Sequence, residues 1–275
     1  MCAVCGCGHA HDHHAHGHSH DGHVRRPTDS DHANLNDDHL IAVEKSILSK
    51  NDRFAEINRR RLAEERIFAV NLVSSPGAGK TTLLVETVKV LSRTITVGVI
   101  EGDQATTNDA DRIRATGVKA VQINTGSGCH LDAHMVGHAL DDLSPDRESV
   151  LFIENVGNLV CPASFDLGEA AKVVILSVTE GDDKPLKYPN MFAAADFMIL
   201  SKIDLLPYVD FDIRKAIERA QRINPDLQTL ELSVRDGTGM AEWLDWILAN
   251  SAGGEHSGMS ALAVGRKPPV AIQAL

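Results

Sequence analysis

The sequence predicts an α/β protein in which a mainly parallel sheet carries helices on both faces. Three observations lead there. Short apolar runs alternate with helix-periodic stretches between residues 67 and 250, a glycine-rich turn joins the first run to the first helix, and acidic residues follow two of the runs. A parallel neighbour is reached only through a crossover connection, usually a helix, so alternation along the chain implies parallel pairing.

The first strand is expected over residues 67–73, rich in β-branched and aromatic side chains, and the first helix of the sheet domain over 81–91, where apolar residues recur at helical spacing. Strands follow over 96–100, 118–123, 149–153, 173–178, 197–200 and 227–232, with helices around 110–115, from about His130, and over 240–248. Upstream, a polar linker around residues 25–36 leads to a helix capped by Asp37 or Asp38 that carries Leu40, Ile41, Ile47 and Leu48 and continues through Phe54, Ile57 and Leu62. Residues 1–23 have almost no apolar side chain to join a core and are expected to be disordered without metal. The expected divisions are thus a Cys/His-rich metal-binding tail (1–23), a linker and N-terminal helix (24–66), a nucleotide domain (67–250) and a loose C-terminal tail (251–275).

Composition narrows the partners. The 275 residues carry 27 Lys and Arg against 38 Asp and Glu, a formal charge of −11, and no basic stripe beyond Arg59-Arg60-Arg61, so nucleic acid is not expected as a partner. No apolar run approaches the roughly 18 residues of a membrane span, and the N-terminus lacks the apolar core of a signal peptide, so no membrane is expected and the cytoplasm is the default location. Five cysteines, an odd number in a chain of this kind, favour metal ligation or reactivity over a disulfide framework.

The turn between the first strand and helix, Ser74-Ser-Pro76-Gly77-Ala78-Gly79-Lys80-Thr81-Thr82, has the layout of a nucleotide-phosphate loop. Unpaired N–H groups at a helix N-terminus point at an anion, and glycines 77 and 79 let that backbone come close. Lys80 would reach the β- and γ-phosphates and the Thr81 hydroxyl would sit on Mg²⁺. The strict pattern asks for glycine at position 74, where this chain has serine. A bland Gly-rich turn before an ordinary helix is the competing reading.

A base reader is expected after a later strand, and Ser201-Lys202-Ile203-Asp204 follows the run at 197–200. Guanine presents N1–H and a 2-amino group side by side; Asp204 can accept both, while Lys202 lays its aliphatic stem along the purine face. Serine at 201 stands where the guanine motif usually has asparagine. Asp103, in Glu101-Gly-Asp103, and Glu154, in Glu154-Asn-Val-Gly157, are the candidates for the magnesium shell and the hydrolysis switch, with Lys80 the third catalytic candidate. A carboxylate beyond the C-terminal end of a strand faces the ligand crevice of such a sheet; ordinary hydrogen bonding at a strand end is the dull alternative.

Cys129-His130 and Cys161 supply ligands suited to Zn²⁺ or Ni²⁺, one short of a tetrahedral set, to be completed by water, another side chain or a second subunit. Buried cysteines behaving as small hydrophobes are the alternative. Cys161 lies four residues after Gly157, so a movement of that loop would be felt by a metal bound there. His134 and His138 share the spacing of one helix face with His130, although solvated histidines are their simpler reading. Cys2, Cys5 and Cys7 have no core to occupy and fit a square-planar N/S nickel set, with the histidines of residues 9–23 as weaker sites; a purification tag, usually an unbroken histidine run, fits this interspersed tract less well.

These segments together, with Asn124-Thr-Gly-x-Gly-Cys129-His130-Leu-Asp132 and Glu154-Asn-Val-Gly-Asn-Leu-Val-Cys161, resemble the hydrogenase nickel-incorporation GTPase (HypB) family over residues 1 to about 250. The resemblance implies a Rossmann-like P-loop GTPase that forms a homodimer with GTP and works with a small HypA-type nickel chaperone to load nickel into the [NiFe]-hydrogenase large subunit. It further implies that Cys2, Cys5 and Cys7 are a tight nickel site and that Cys129, His130 and Cys161 are a second metal site near the dimer interface. A nickel store, or a sister metallochaperone GTPase serving urease or a cobalamin enzyme, are the rival expectations.

Overall fold

The computed structural model describes residues 29–103, 108–126 and 128–251, with residues 29–40 described by their helical backbone alone. Cys2, Cys5, Cys7, the histidine tract and residues 252–275 lie outside the described residues. The elements run α1 (Asp29–Glu64), β1 (Phe68–Ser74), α2 (Lys80–Leu91), β2 (Val97–Asp103), α3 (Asn108–Arg114), β3 (Lys119–Asn124), α4 (Ala133–Leu143), β4 (Val150–Glu154) and α5 (Cys161–Ser164). They continue with β5 (Ala171–Ser177), α6 (Lys184–Lys187), α7 (Pro189–Ala194), β6 (Phe197–Ser201), a 3₁₀ turn (Ile203–Tyr208), α8 (Ile213–Ile223), β7 (Gln228–Leu232) and α9 (Met240–Ser251).

All seven strands pair in parallel in the order β3-β2-β4-β1-β5-β6-β7. The central strands are buried along their length, as continuous apolar runs in a doubly covered parallel sheet must be. Side-chain alternation sorts them: Val70 and Leu72 of β1 face a core with Leu84 and Val88 of α2 and Trp243 of α9, while Ala69 faces Leu62 of α1 and Val136 and Leu140 of α4. Val73 joins a third cluster with Phe192 of α7 and Ala216 and Ala220 of α8. The buried Trp243 indole N–H donates to Thr87 Oγ1 at 2.9 Å, giving α9 a polar anchor on α2.

Four expectations change. Residues 29–36 are helical, so Asp37 and Asp38 lie inside α1 instead of capping it; with no glycine or proline between residues 29 and 64, nothing interrupts the helix. Helix α4 begins at Ala133, because Asp132 caps it by accepting from Met135 N–H at 2.8 Å, which leaves Cys129 and His130 in the preceding loop. Strand β2 runs on to Asp103, pairing Glu101 with Glu154 of β4 and Asp103 with Asn124 of β3. Helix α8, started by Asp212 accepting from Lys215 N–H, adds an element to the expected set.

Candidate functional site

The phosphate loop leaves β1 and enters α2 with Gly77 at φ +77° and Gly79 at φ +95°, conformations that oppose any side chain at either position. Ser74 is the last residue of β1, buried in ordinary extended backbone, and its hydroxyl donates to Ser75 O at 2.8 Å. The strict pattern's first glycine is therefore not needed here.

Lys80 and Thr81, the first residues of α2, converge on one atom. Glu154 Oε1 accepts from Lys80 Nζ at 2.9 Å and from Thr81 Oγ1 at 2.6 Å, while the buried Glu154 Oε2 has no hydrogen-bond partner among the described residues. On the next strand Glu101 is also buried, and its Oε2 is likewise without a partner among the described residues. Burial, then the negative charges of Glu154 and Asp103, push the Glu101 carboxyl up to about 8, with Lys80 opposing. Glu101 is the residue sequence reasoning missed: it sits inside an apolar strand, and only the register places it beside Glu154. The Glu154 carboxylate on the Thr81 hydroxyl and the Glu101 carboxyl paired with it on the neighbouring strand form a hard, oxygen-only donor set that fits Mg²⁺, a charge that would favour the ionised form of Glu101. Asp103 stands at the end of β2, and its carbonyl accepts from Thr125 N–H at 2.9 Å. Thr82 accepts from Arg112 of α3 at 3.4 Å. Pro76 packs on the Glu154 loop closely enough that a Cβ on Gly157 would meet three Pro76 atoms at 3.2 Å.

The segment Ser201–Asp204 lies against the same loop. Lys202, in the left-handed conformation at φ 61°, donates from Nζ to Gly77 O at 2.7 Å, and its Cε lies over Gly79. Asp204 Oδ1 accepts from Ser233 Oγ at 2.7 Å, and Arg235 Nη1 lies 4.0 Å from Oδ2. Ser233 and Arg235, just beyond β7, are further site residues that no motif in the sequence reading marked.

Cys129, His130 and Cys161 come together as expected: their ligand atoms lie within 4.8 Å of one another, all three half-buried. The two sulfurs are 2.9 Å apart, beyond a disulfide bond length. His130 packs its ring on Phe165, with centroids 4.0 Å apart, and burial lowers its pKa against the pull of Asp132, favouring the neutral, ligating imidazole. His134 and His138 face each other, Nε2 to Nε2 at 3.1 Å, on the exposed face of α4, apart from this set. Asparagines of α1 brace the segments beyond these residues: Asn58 Nδ2 donates to Ala133 O at 2.7 Å and to Leu167 O at 3.0 Å, and Asn51 accepts from Ala133 N–H and donates to Asp166 O.

A strand-to-helix loop ending in Gly-Lys-Thr at the C-terminal edge of a parallel sheet, hydrogen-bonded to a Ser-Lys-x-Asp segment after a later strand, is the architecture of a P-loop GTPase. A family profile described as CobW/HypB/UreG, nucleotide-binding domain, matches residues 68–231. The chain is 62% identical over 218 residues to the hydrogenase maturation factor HypB of Rhizobium leguminosarum bv. viciae, covering 79% of this chain and 73% of that protein. The crystal structure of HypB from Archaeoglobus fulgidus superposes with a TM-score of 0.69 at 41% identity, covering 74% of this chain and 99% of that one. HypB from Helicobacter pylori in complex with nickel gives the same TM-score at 40% identity, with 77% and 99% covered. The chain belongs to the HypB family of hydrogenase maturation factors.

Proposed function

We propose that this protein is a GTP-hydrolysing nickel metallochaperone, in which the nucleotide state sets how nickel is held at Cys129, His130 and Cys161. The observation that carries the reading is that one segment of eight residues begins with Glu154, on Lys80 and Thr81, and ends with Cys161. Two chemistries on one short loop cannot move independently.

Backbone N–H groups from Gly77 to Thr82 and the Lys80 ammonium would bind the β- and γ-phosphates, with Asp204 reading guanine and Lys202 covering its face. Thr81, Asp103 and Glu154, together with Glu101, would hold Mg²⁺, which when bound would supply positive charge against the phosphates. Lys80 and Thr81 both lean on Glu154, so a nucleotide that draws them to its phosphates changes what Glu154 faces. Nickel, as cargo, meets two thiolates and a neutral imidazole, a donor set suited to Ni²⁺ and Zn²⁺ alike. A GTP-dependent homodimer would complete the three-ligand set, and the exposed Val160 beside Cys161 gives such a contact an apolar footing. Cys2, Cys5 and Cys7 would form the tighter nickel site, with delivery to a HypA-type chaperone and the hydrogenase large subunit.

Nickel affinity measured on a variant lacking residues 1–23 tests the reading. It is expected to differ between GTP and GDP states, and equal affinities would remove the coupling. Nickel counted almost wholly in residues 9–23 would favour storage, and a deletion strain losing urease instead of hydrogenase activity would identify a different client.

A further inference from the structure

The family reading says that nucleotide and metal communicate; the residues that carry the message are a separate question, and the polar contacts of the 154–161 segment address it. Between Glu154 and Cys161 there are two asparagines, and both reach across to the loop that carries the other two ligands. Asn155, fully buried, accepts at Oδ1 from Leu131 N–H at 3.2 Å, one residue beyond His130, and from Val156 N–H at 3.0 Å. Its backbone N–H donates to Leu72 O of β1 at 3.0 Å, directly below the phosphate loop. Asn158 donates from Nδ2 to the carbonyl of Cys129 itself at 3.2 Å, and accepts at Oδ1 from Val160 N–H at 2.9 Å.

Asn155 also starts a second branch toward the Cys161 side. Its Nδ2 donates to Asn71 Oδ1 at 3.3 Å, Asn71 donates to Glu169 Oε1 at 3.4 Å, and Glu169 Oε2 accepts from Leu167 N–H at 2.7 Å. Lys172, paired with Glu169, donates to Pro162 O, next to Cys161 in α5, at 2.9 Å and to Phe165 O, just after α5, at 3.1 Å. A buried chain of this kind has discrete arrangements, because an intermediate position would leave groups unsatisfied in low dielectric. The distal feet of both loops, Ala133 and Leu167, are already fixed to Asn58 of α1. The entry of the Cys129 loop is tied to β2, where Thr125 donates to Asp103 O and Gly128 O, whereas Asn155 and Asn158 tie the loop to the very segment that carries Cys161.

We infer that Asn155 and Asn158 are positioning residues that transmit the state of Glu154 to the Cys129, His130 and Cys161 metal site. The inference rests on the proposed coupling of nucleotide and nickel, and names its physical carrier. When Glu154 changes partners, the two amides carry the backbone at Leu131 and Cys129 with it, altering the spacing of the three ligand atoms. Neither asparagine touches nucleotide or metal in this scheme.

Linkage is reciprocal, so the full-length chain can be tested from the nucleotide side. The measured quantity is the factor by which Ni²⁺ changes the ratio of affinities for GDP and guanylyl imidodiphosphate, both with Mg²⁺ and read by a fluorescent derivative. Metal bound at uncoupled sites elsewhere in the chain cancels, and Cys161→Ala gives the reference factor for a broken site. The wild type is expected to depart from one by at least about fivefold, with Asn155→Ala and Asn158→Ala within about twofold of one. Asn158→Asp keeps the acceptor for Val160 N–H but loses the donor to Cys129 O, and is expected to uncouple as fully as Asn158→Ala. Nucleotide affinity without nickel should be unchanged in all three, which a damaged G-domain would not give. A wild-type factor of one overturns the proposed coupling and this inference together. A coupled wild type with a folded asparagine variant that keeps the wild-type factor overturns this inference alone. Thermal melting establishes folding; if Asn155→Ala does not fold, the half-exposed Asn158 decides.

Discussion

Ser201 donates its hydroxyl to the carbonyl of Ala78 at 2.8 Å, joining the end of β6 to the middle of the phosphate loop. The guanine motif usually has asparagine here, and the shorter serine still makes the bond to the loop. Removing it by Ser201→Ala leaves a buried carbonyl unsatisfied, at a cost of about 1–3 kcal/mol. Part of that cost falls on the nucleotide-binding conformation, so GDP and GTP affinity should drop roughly tenfold by equilibrium titration. Affinity equal to wild type would show that the loop holds its shape without β6.

The Ser233 hydroxyl orients the Asp204 carboxylate before any base arrives, with the exposed Arg235 4.0 Å from its other oxygen. Asp204→Asn exchanges an acceptor pair for one acceptor and one donor. Guanine then faces an amide N–H opposite its 2-amino group, whereas xanthine, with a carbonyl there, gains a partner. Preference for GTP over XTP should shrink by roughly a hundredfold or more in competition binding, since an unpaired buried polar group dominates such discrimination. Undiminished preference for GTP would move the base reader elsewhere.

These two sites differ in how openly the sequence announced them. The phosphate loop was legible because its chemistry demands particular residue types at fixed spacing along one strand-to-helix turn, and the Ser201–Asp204 segment was legible as a short pattern directly after a strand. Cys129, His130 and Cys161 were legible as ligand types, but their approach within 4.8 Å depends on the β4–α5 loop crossing the loop before α4. Glu101, Ser233 and Asn58 were not legible. Each is a common residue whose role comes from a neighbour that is distant in sequence: Glu154 through strand register, Asp204 across the β6–β7 edge, and Ala133 and Leu167 across the packing of α1. The start of α1 was misplaced for the opposite reason. Asp37 and Asp38 are good caps locally, but an uninterrupted helix-forming stretch overrode them.

Glu154→Gln tests the residue on which Lys80 and Thr81 converge. The amide keeps the shape and can still accept from one of them, but it loses the charge that balances Lys80. Mg²⁺-independent nucleotide binding should hold or improve, because Lys80 is released to the phosphates. GTP turnover should fall by about a hundredfold or more, as expected when an electrostatic group acting on the transferred phosphoryl is removed. Turnover within a few-fold of wild type would leave Glu154 as a structural partner only.

Glu101 should make stability depend on pH in a distinctive direction. Its carboxyl is raised from 4.5 to about 8 in the folded chain, first by burial and then by Glu154 and Asp103. Between those two values the folded state keeps a proton that the unfolded state has released, so stability falls as pH rises. The contribution is fully present below about pH 4.5 and is lost by the time pH has passed through about 8. The limiting slope for one proton is about 1.4 kcal/mol per pH unit. Other groups titrate in this range, including Asp166, raised to about 6 by burial and Glu169, so the informative quantity is the difference between the wild type and Glu101→Gln. Glutamine cannot ionise and keeps the volume. In urea denaturation without nucleotide or Mg²⁺, the variant should come closest to the wild type near pH 5, exceed it increasingly up to about pH 8, and keep a constant margin above that. Parallel curves across the whole range would mean that Glu101 ionises normally when folded, and would withdraw it from the carboxylate pair at the phosphate loop.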